Sequence, residues 1–484
     1  MSRFIGFVLL MATMALGTEL PFGSAPVDQV QPVTFNKDVL PVLQNNCQAC
    51  HRPGGIGPMS FLTYESTRPW AKAMKAAVLN KKMPPWFADS HYGEFRNAPK
   101  LTQTDISTLV AWADSGAREG DPADRPADRQ FPDGWRIRPD VVVTTPEPYY
   151  IPASGIGEIH EFTIPNPFKE DTWVTAIEVR PSNPSVVHHV IVKVAEPSPG
   201  GPVVNFVADA RGNADRVLPP GRVLPQGGGG SYSDVLARMR ERQTGRGAFT
   251  TMEAVYAPGS PPLDFRFTNS AKLIQARKPI RIEVHYTPKG KATTDQTRVA
   301  FTLAKGPAQR RFVIMAPEHL VDERKPIPAG DANWETKGEL TFAQDVDLVW
   351  FMPHMHLRGK DMTFRLIYPD GREETVLSAK FNFHWQLGYE VEKPIKVPKG
   401  TRMIVTAHHD NSANNPLNPD PTKPVRWGEM TAQEMMLPWF GVVVDRDAQP
   451  DLIASYRPGD FDGAPVFGKA VLRVSTPPVT VTAQ

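Results

Sequence analysis

The chain has 484 residues, with 54 lysines and arginines against 52 aspartates and glutamates and a net charge of +2 at pH 7. This near-balance argues against a dedicated nucleic-acid or anionic-membrane binder, which would carry a basic excess. Hydrophobic residues make up 40% of the chain and charged residues 22%, so a disordered chain is excluded. The 50 prolines exclude helical bundles for most of the chain, and the 2 cysteines exclude a disulfide-stapled scaffold.

Residues 1–25 have the pattern of a secretory signal peptide. Arg3 precedes an apolar run at residues 4–17, which at ~14 residues is shorter than the ~20 needed to span a bilayer. Small residues at 15–17 and 23–25 mark two candidate cleavage regions. An uncleaved N-terminal anchor is the alternative. We therefore expect an exported protein, periplasmic or secreted, with no stable membrane insertion.

Helical spacing characterises residues 31–120. Apolar residues recur at three and four over Thr67–Asn80 and Thr104–Ala117, and Thr102 and Thr104 are candidate N-caps of the second helix. Residues 121–150 open with a polar, proline-punctuated stretch and are predicted to form a linker.

The helical region contains a haem-attachment motif, CxxCH. The thiols of Cys47 and Cys50, spaced on one helical turn, suit thioether bonds to the two haem vinyl groups, and His51 would be the proximal iron ligand. A redox dithiol would be expected in a βαβ unit, and half of a zinc site would need more cysteines, so these alternatives are disfavoured. One covalent haem c is predicted.

A methionine downstream is expected to be the sixth iron ligand. Met83 is favoured over Met59 and Met74 because Pro84 and Pro85 hold its chain extended, whereas Met74 lies inside a helical pattern. With CxxCH near its start, a Met-Pro loop and a closing helix, the segment resembles a class I cytochrome c domain.

From about residue 137 the apolar period changes to two, which is typical of strands. A Pro-Asp-Gly turn at 369–371 predicts a hairpin between residues 362–367 and 375–377. So many strands indicate two β-sandwiches, with a boundary near residues 304–311. The loop at 218–230 is predicted to lie on the surface. The predicted strands are Trp173–Val179, Val186–Val194, Ile280–Tyr286, Val299–Leu303, Asp347–Phe351, Met403–Ala407 and Phe440–Val444.

Five of the 12 histidines lie in strand-like contexts that suit a metal. His354 and His356 form an HxH pair, whose rings share a face because side chains on a strand alternate. His188 and His189 are adjacent, so they can hold one ion together only if their strand ends or bulges, and His285 is the fifth candidate. A lone histidine is more often structural, so the hypothesis depends on the whole set.

A thioether completes the donor set and favours copper. Imidazoles with one thioether suit copper better than calcium, magnesium or zinc. The candidate thioether ligands are Met430, Met435 and Met436, in the segment at residues 427–436.

The motif order HHV, VHY, HMH and EM resembles the copper type II, ascorbate-dependent monooxygenases, such as the peptidylglycine and dopamine hydroxylases, over roughly residues 155–475. The resemblance implies that His188, His189 and His285 hold an electron-storing copper. It assigns the catalytic, oxygen-binding copper to His354, His356 and Met435. The resulting fold class is mainly β. It comprises two jelly-roll-like β-sandwiches at 151–306 (first copper) and 307–484 (second copper), preceded by the small all-α cytochrome c domain at 31–120.

The chain also departs from the family. It has no spare cysteine for the disulfides of the animal enzymes. Met352 stands where the peptide hydroxylase has a substrate-binding arginine, and Trp439 stands where it has a tyrosine. With Trp350 nearby, these residues suggest an apolar substrate rather than a C-terminal glycine peptide, although each is also an ordinary core residue.

Several other polar residues carry weaker signals. His91, His160, His319 and His384 are interpreted as structural. The run at 408–411 is interpreted as a strand end and turn, where Asp410 and Asn411 are candidates to orient a metal ligand.

The leading hypothesis is an exported monooxygenase that hydroxylates a C–H bond of a small organic substrate with O₂. The haem would receive electrons from a periplasmic donor and supply them to two coppers. The alternatives are a non-catalytic electron-transfer protein whose β-sandwiches bind a partner or a glycan, and a copper-storage or copper-oxidising protein. The first alternative predicts that the five histidines are scattered in space. No nucleic-acid partner is expected.

Overall fold

The computed structural model describes most of residues 32–456, and several sequence predictions lie outside the described residues. Among these are the signal peptide, the loop at 218–230, His319 and Met430. The gaps in the described range are residues 54, 56, 132–133, 156–157, 195–205, 209–213, 217–248, 318–319, 322–324 and 429–430.

A small helical region lies at the N-terminal end, as predicted. A π-helical turn at Phe35–Val39 leads into α1, and a 3₁₀ turn at Arg68–Trp70 separates α2 from α3. The core of this region packs Phe35, Leu43 and Trp112 together. The helices are α1 (Leu40–Asn46), α2 (Tyr64–Thr67), α3 (Ala71–Leu79) and α4 (Gln103–Asp114).

The ends of α4 follow from local chemistry. Thr102 is its N-cap and forms a capping box with Asp105. Of the two predicted N-caps, Thr102 and Thr104, the first is therefore confirmed. The predicted extension to Ala117 is wrong. Gly116 and Ala117 have φ values of 92° and 52°, and this left-handed backbone stops the helix at Asp114.

The rest of the chain is mainly β, and every pairing between named strands is antiparallel. The predicted strands and the hairpin around Gly371 are all found. Strand β1 lies inside the range 121–150 predicted as a linker, and β2 overlaps its end. The strands are β1 (Val141–Thr144), β2 (Tyr149–Ile151), β3 (Glu158–Ile164), β4 (Thr172–Arg180), β5 (Val187–Val194), β6 (Phe206–Ala208), β7 (Ala214–Arg216), β8 (Phe249–Met252), β9 (Ala254–Tyr256), β10 (Leu263–Asp264), β11 (Lys272–Ile274), β12 (Ile280–Tyr286), β13 (Thr293–Asp295), β14 (Arg298–Leu303), β15 (Arg310–Pro317), β16 (Trp334–Phe342), β17 (Val346–His354), β18 (Gly359–Ile367), β19 (Glu373–Lys380), β20 (Tyr389–Val397), β21 (Arg402–His409), β22 (Leu437–Asp445) and β23 (Ala454–Tyr456).

Four larger sheets are present among the described residues. Sheet 1 has the order β1-β14-β4-β10, with β11 also on β4, and sheet 2 has the order β7-β6-β3-β12-β5-β9. Sheet 3 has the order β20-β17-β22-β15-β8, and sheet 4 has the order β19-β18-β21-β16-β23. β2 and β13 form a separate pair.

Sheet 3 is buried on both faces. Trp350 and Met352 on β17 pack into the core of sheets 1 and 2, whereas Leu348 and Phe351 pack into the core shared with sheet 4. Every residue of β17 is buried as a result, which explains its nearly uninterrupted apolar sequence. β17 carries His354 at its end, so this histidine stands on the most enclosed strand of the fold.

The chain crosses between sheets 2 and 3 within one residue. β8 pairs with β15 in sheet 3, and β9 pairs with β5 in sheet 2. Glu253 lies between them, donates its N–H to Val192 O at 2.7 Å, and pairs with buried Lys272 at 3.3 Å. The two halves of the β region are therefore connected by strand exchange as well as by packing.

Candidate metal centre

His188 and His189 stand near the start of β5, where its pairing with β12 is irregular. His189 lies opposite His285 and Val187 opposite Tyr286, so His188 is the extra residue of a bulge. The bulge brings the two rings to the same place, with 2.9 Å between the Nδ1 atoms. Two imidazole nitrogens that share an ion at ~2.0–2.1 Å lie within about 4 Å of each other. The pair therefore has the spacing of a two-ligand site.

His285 joins this pair from β12. Its ring centroid lies 3.6 Å from that of His189, and its Nε2 is 2.8 Å from Glu283 Oε1. Glu283 also accepts from Lys193 Nζ at 3.4 Å. Burial alone would raise the pKa of Glu283, but Lys193 and His285 outweigh it and hold that pKa well below its ordinary value. His285 therefore faces an ionised carboxylate.

His354 and His356 form the second group, with ring centroids 5.4 Å apart. Strand β17 ends at His354, so the expectation of a regular strand through both residues is wrong. The N–H of His356 donates to Glu434 Oε2 at 3.0 Å instead of to a neighbouring strand. His354 Nδ1 lies 2.6 Å from Gln386 Oε1, and His356 Nδ1 lies 3.2 Å from the Gln433 carbonyl oxygen.

Glu434 joins the histidine segment to the methionine segment. Its carboxylate is fully buried and accepts the N–H groups of His356, Arg358 (2.6 Å) and Met435 (3.3 Å). Burial raises the pKa of Glu434 to about 7, although these hydrogen bonds oppose the shift. Because His356 and Met435 donate to the same oxygen, their backbones lie side by side.

The two neighbouring methionines have different environments. Met436 is 3% exposed, belongs to the core between sheets 3 and 4, and accepts from Thr336 Oγ1 at 3.4 Å. Met435 is only half-buried. Met436 is therefore a packing residue, and Met435 remains the candidate thioether ligand.

The two histidine groups meet. The ring centroids of His189 and His354 are 5.8 Å apart, although the residues come from sheets 2 and 3. Burial lowers the pKa of His188 to about 3 and of His354 to about 4, and it holds the pKa values of His189 and His356 well below the ordinary value. These imidazoles are neutral at pH 7, which is the form that binds a metal.

The hydrogen-bond partners fix which nitrogen of four of the rings carries the proton. A carbonyl or carboxylate oxygen can only accept, and the Gln386 oxygen does the same. His188 therefore holds its proton on Nε2, 2.5 Å from Phe383 O, and His285 holds its proton on Nε2. His354 and His356 hold theirs on Nδ1. The free lone pairs are thus on Nδ1 of His188 and His285 and on Nε2 of His354 and His356.

The described residues contain no group of three or more His, Cys, Asp or Glu side chains that could hold a metal ion as they stand. The rings of His189 and His285 pack against each other rather than around a central point. The donor types, the neutral charge state and the proton positions fit copper, whereas a three-ligand arrangement requires these rings to turn.

The CxxCH motif follows the end of α1. Both thiols are free, and His51 N–H donates to Cys47 O at 2.9 Å, which makes one helical turn. The His51 ring stacks on Phe61 at 4.4 Å, and its buried Nδ1 has no hydrogen-bond partner among the described residues. A Cβ at Gly57 would lie 2.6 Å from that nitrogen, so only glycine allows this approach.

This local geometry is compatible with haem attachment. Burial lowers the pKa of His51, which keeps the ring neutral. Met74 belongs to the helical core, as expected. Met83 is half-buried just after α3, and its N–H donates to Ala77 O at 3.2 Å.

Three residues that suggested an apolar substrate are core residues. Trp350, Met352 and Trp439 are at most 3% exposed and pack with sheets 1 and 2. The side chains of Asp410 and Asn411 form hydrogen bonds with groups other than the five histidines. Asp410 caps Ser412, and Asn411 donates to the carbonyl oxygens of Pro328 and Lys423.

The sequence did not reveal the partners that orient the histidines. Glu283 was detectable in principle, because it precedes His285 by two residues on the same face of a strand. Gln386 and Phe383 lie in an irregular loop without a recognisable pattern. His384, interpreted as structural, lies on this loop with its ring 6.4 Å from that of His188.

Comparison with known proteins gives no family. No family model matches the sequence, and no curated protein matches it. A solved IBDV viral particle aligns at 8% identity over 70% of this chain and 77% of its own, with a TM-score of 0.16. The infectious bursal disease virus VP2 subviral particle aligns at 9% identity over 68% and 79%, with a TM-score of 0.14. Dimeric latent PorU from Porphyromonas gingivalis aligns at 9% identity over 62% and 25%, with a TM-score of 0.15. Scores this low carry no argument about fold or function.

Proposed function

We propose that this protein is a haem c- and copper-dependent monooxygenase that hydroxylates a C–H bond of a small organic substrate. The overall conversion uses O₂, two electrons and two protons to give the alcohol and water. The electrons come from a periplasmic donor, and the mature protein is exported to the periplasm or secreted. Within this proposal the four larger sheets form two jelly-roll-like sandwiches behind a cytochrome c domain.

One observation supports this proposal above all others. Five histidines from three separate strand regions come together where sheets 2 and 3 meet, and four of them have an oxygen partner on one ring nitrogen, which leaves the other nitrogen with a lone pair. Core histidines that serve only packing have no need of this arrangement. A scattered arrangement, expected of a non-catalytic electron-transfer protein, is not found.

Each residue has a role that its contacts support. His188, His189 and His285 would hold one copper, and His354, His356 and Met435 the other. Copper bound here would supply one-electron redox chemistry and activate O₂.

The protein around these ligands supports the same chemistry. Glu283, Gln386 and the Phe383 carbonyl orient the rings and keep their protons away from the ion. Burial of the second group excludes bulk water, which protects a strongly oxidising site from side reactions.

The helical region would supply the electrons. Cys47 and Cys50 would bind one haem c covalently, with His51 and Met83 as axial ligands. The free thiols and the neutral, half-buried His51 ring are compatible with attachment. No helix among the described residues is long and apolar enough to cross a membrane.

Metal analysis and oxygen uptake test the proposal. The purified protein should contain one iron and two coppers per chain after reconstitution, and iron without copper would refute it. His354→Ala should abolish substrate-dependent O₂ uptake and leave the haem spectrum unchanged. His408→Ala is the matched control, because His408 pairs with Asp361 at 2.6 Å outside the cluster. Equal loss of uptake in both variants, or none in His354→Ala, would contradict the assignment.

A further inference from the structure

Residues 86–97, between α3 and α4, leave the helical region and lie against β19 and β20. We call them the docking segment. Isolated bridges join Ala88 to Ala379 and Phe95 to Val391, so the segment adds backbone pairing at two places. Its backbone hydrogen bonds to these strands are Asp89 N to Ser378 O (2.8 Å), Lys380 N to Phe87 O (3.0 Å), Glu392 N to Glu94 O (2.7 Å) and Arg96 N to Glu390 O (2.9 Å).

Side chains strengthen this attachment. The rings of Trp86 and Phe95 pack edge-on against Tyr389, at 5.0 and 5.6 Å, and extend the core of sheets 3 and 4. Arg96 Nε lies 3.3 Å from Glu390 Oε2, and its guanidinium stands 4.1 Å from the centre of the Phe267 ring. Backbone pairing, aromatic packing and a partly buried ion pair therefore act together, which is typical of a specific interface.

Asn97 binds the chain on both sides of Tyr389. Its Nδ2 donates to Gly388 O at 2.8 Å, and its Oδ1 accepts from Glu390 N at 3.0 Å. Gly388 also presses against Trp350, since a Cβ at Gly388 would lie 2.8 Å from the indole. The end of the loop 381–388 is thus held between the docking segment and β17.

The same loop holds two of the candidate ligands. Gln386 accepts from His354 Nδ1 at 2.6 Å and donates to Phe383 O at 3.4 Å. Phe383 O also accepts from His188 Nε2, and the Phe383 ring stacks on His188 at 4.4 Å. The loop therefore orients one imidazole from each histidine group. Gln386 lies two residues from Gly388.

We propose that the docking segment and the loop 381–388 act as one positioning element, through which the helical region sets the orientation of the His188 and His354 rings. Asn97 and Gln386 are positioning residues in this sense. The helical region then orients rings of the histidine cluster in addition to supplying the electrons of the proposed function. The interpretation of these rings as ligands rests on the proposed function, but the mechanical coupling does not.

The test uses the full chain without added copper. Hydrogen exchange reports the loop, and the ¹⁵N chemical shifts of labelled histidines report the position of the His354 proton. Asn97→Ala removes both hydrogen bonds to the loop end and should speed exchange of the loop amides by roughly tenfold. It should also shift the His354 signal toward a mixture of the two tautomers.

Control variants separate coupling from general damage. Asn80→Ala makes the same change at an exposed position of the helical region, and it should leave both readouts unchanged. Gln386→Ala should shift the His354 ¹⁵N signal directly. Gln386→Glu keeps an acceptor oxygen, so its His354 signal should stay close to that of the wild type. Arg96→Met is the second docking variant should Asn97→Ala fold poorly.

Two results are decisive. Faster loop exchange and a shifted His354 signal in a docking variant, with Asn80→Ala unchanged, support the coupling. The inference is overturned if the docking variants leave both readouts as in the wild type while Gln386→Ala shifts His354. Failure to bind copper would count against the proposed function alone, because these readouts need no metal.

Discussion

The two histidine groups are built in different ways. In the first group, on β5 and β12, the rings touch one another and are oriented by side-chain and loop partners such as Glu283. In the second, the backbone itself is held, because Glu434 accepts N–H groups from the histidine and methionine segments together. The backbones of His356 and Met435 in the second group are therefore fixed by a shared carboxylate, whereas the first group depends on how its rings turn.

Removal of the Glu434 carboxylate is the strongest test of this difference. Glu434→Ala leaves three N–H groups without their acceptor, two of them buried. At about 1–3 kcal/mol for each buried group, we expect the free energy of unfolding to fall by roughly 2–6 kcal/mol. Urea denaturation measures it. Glu434→Gln retains one acceptor oxygen and should lose less. A loss below about 1 kcal/mol in Glu434→Ala would contradict the proposed role.

The two methionines should separate stability from binding. Met436→Ala opens a cavity in the core of sheets 3 and 4 and should lower the free energy of unfolding by about 2–5 kcal/mol. Met435→Ala should change it little and weaken copper binding at the second group. Denaturation and copper titration of both variants decide the assignment, and the reverse pattern would make Met436 the ligand.

Loss of the Glu283 carboxylate should affect the first group alone. His285 would lose the partner that fixes its proton on Nε2, and such losses weaken metal binding by roughly 10–100-fold. Competitive copper titration of Glu283→Ala should show one weakened site and one unchanged site. Glu283→Gln keeps an acceptor oxygen and should bind nearly as the wild type. Equal weakening of both sites would show that the groups are not independent.

The smallest expected effect concerns the docking segment and pH. Burial raises the pKa of Glu390, Arg96 opposes the shift, and Asp264 adds to it. A carboxyl group with a raised folded pKa contributes stability below its unfolded pKa, and this contribution is lost as pH rises through the folded pKa. Urea midpoints from pH 4 to 8 should therefore fall less with rising pH in Glu390→Gln than in the wild type. Glu392→Gln, exposed on the same strand, is the control and should match the wild type.

Much of the fold was predictable from local patterns. Alternation of apolar residues located β12 at Ile280–Tyr286 without error, and Thr102 marked the start of α4, because both signals depend on neighbours in the chain. The bulge at His188 was required by the sequence argument and is present.

The remaining features depend on tertiary contacts. Trp350, Met352 and Trp439 looked like substrate contacts, but the double burial of sheet 3 makes them core residues. Gln386 and Phe383 could not be found, because nothing near them in the chain indicates which distant strands their loop will touch. The role of Glu434 depends likewise on strand β17 ending beside it.

The passage of the chain from sheet 3 to sheet 2 at Glu253 has a consequence for the expression of fragments of this protein. A fragment that begins at residue 310 would lack β8, so one side of β15 would present unpaired N–H and C=O groups over Ile314–Pro317. Exposed strand edges recruit other chains and promote aggregation. Such a fragment is therefore expected to remain soluble only when residues 249–252 are supplied with it, whether in the same chain or as an added peptide.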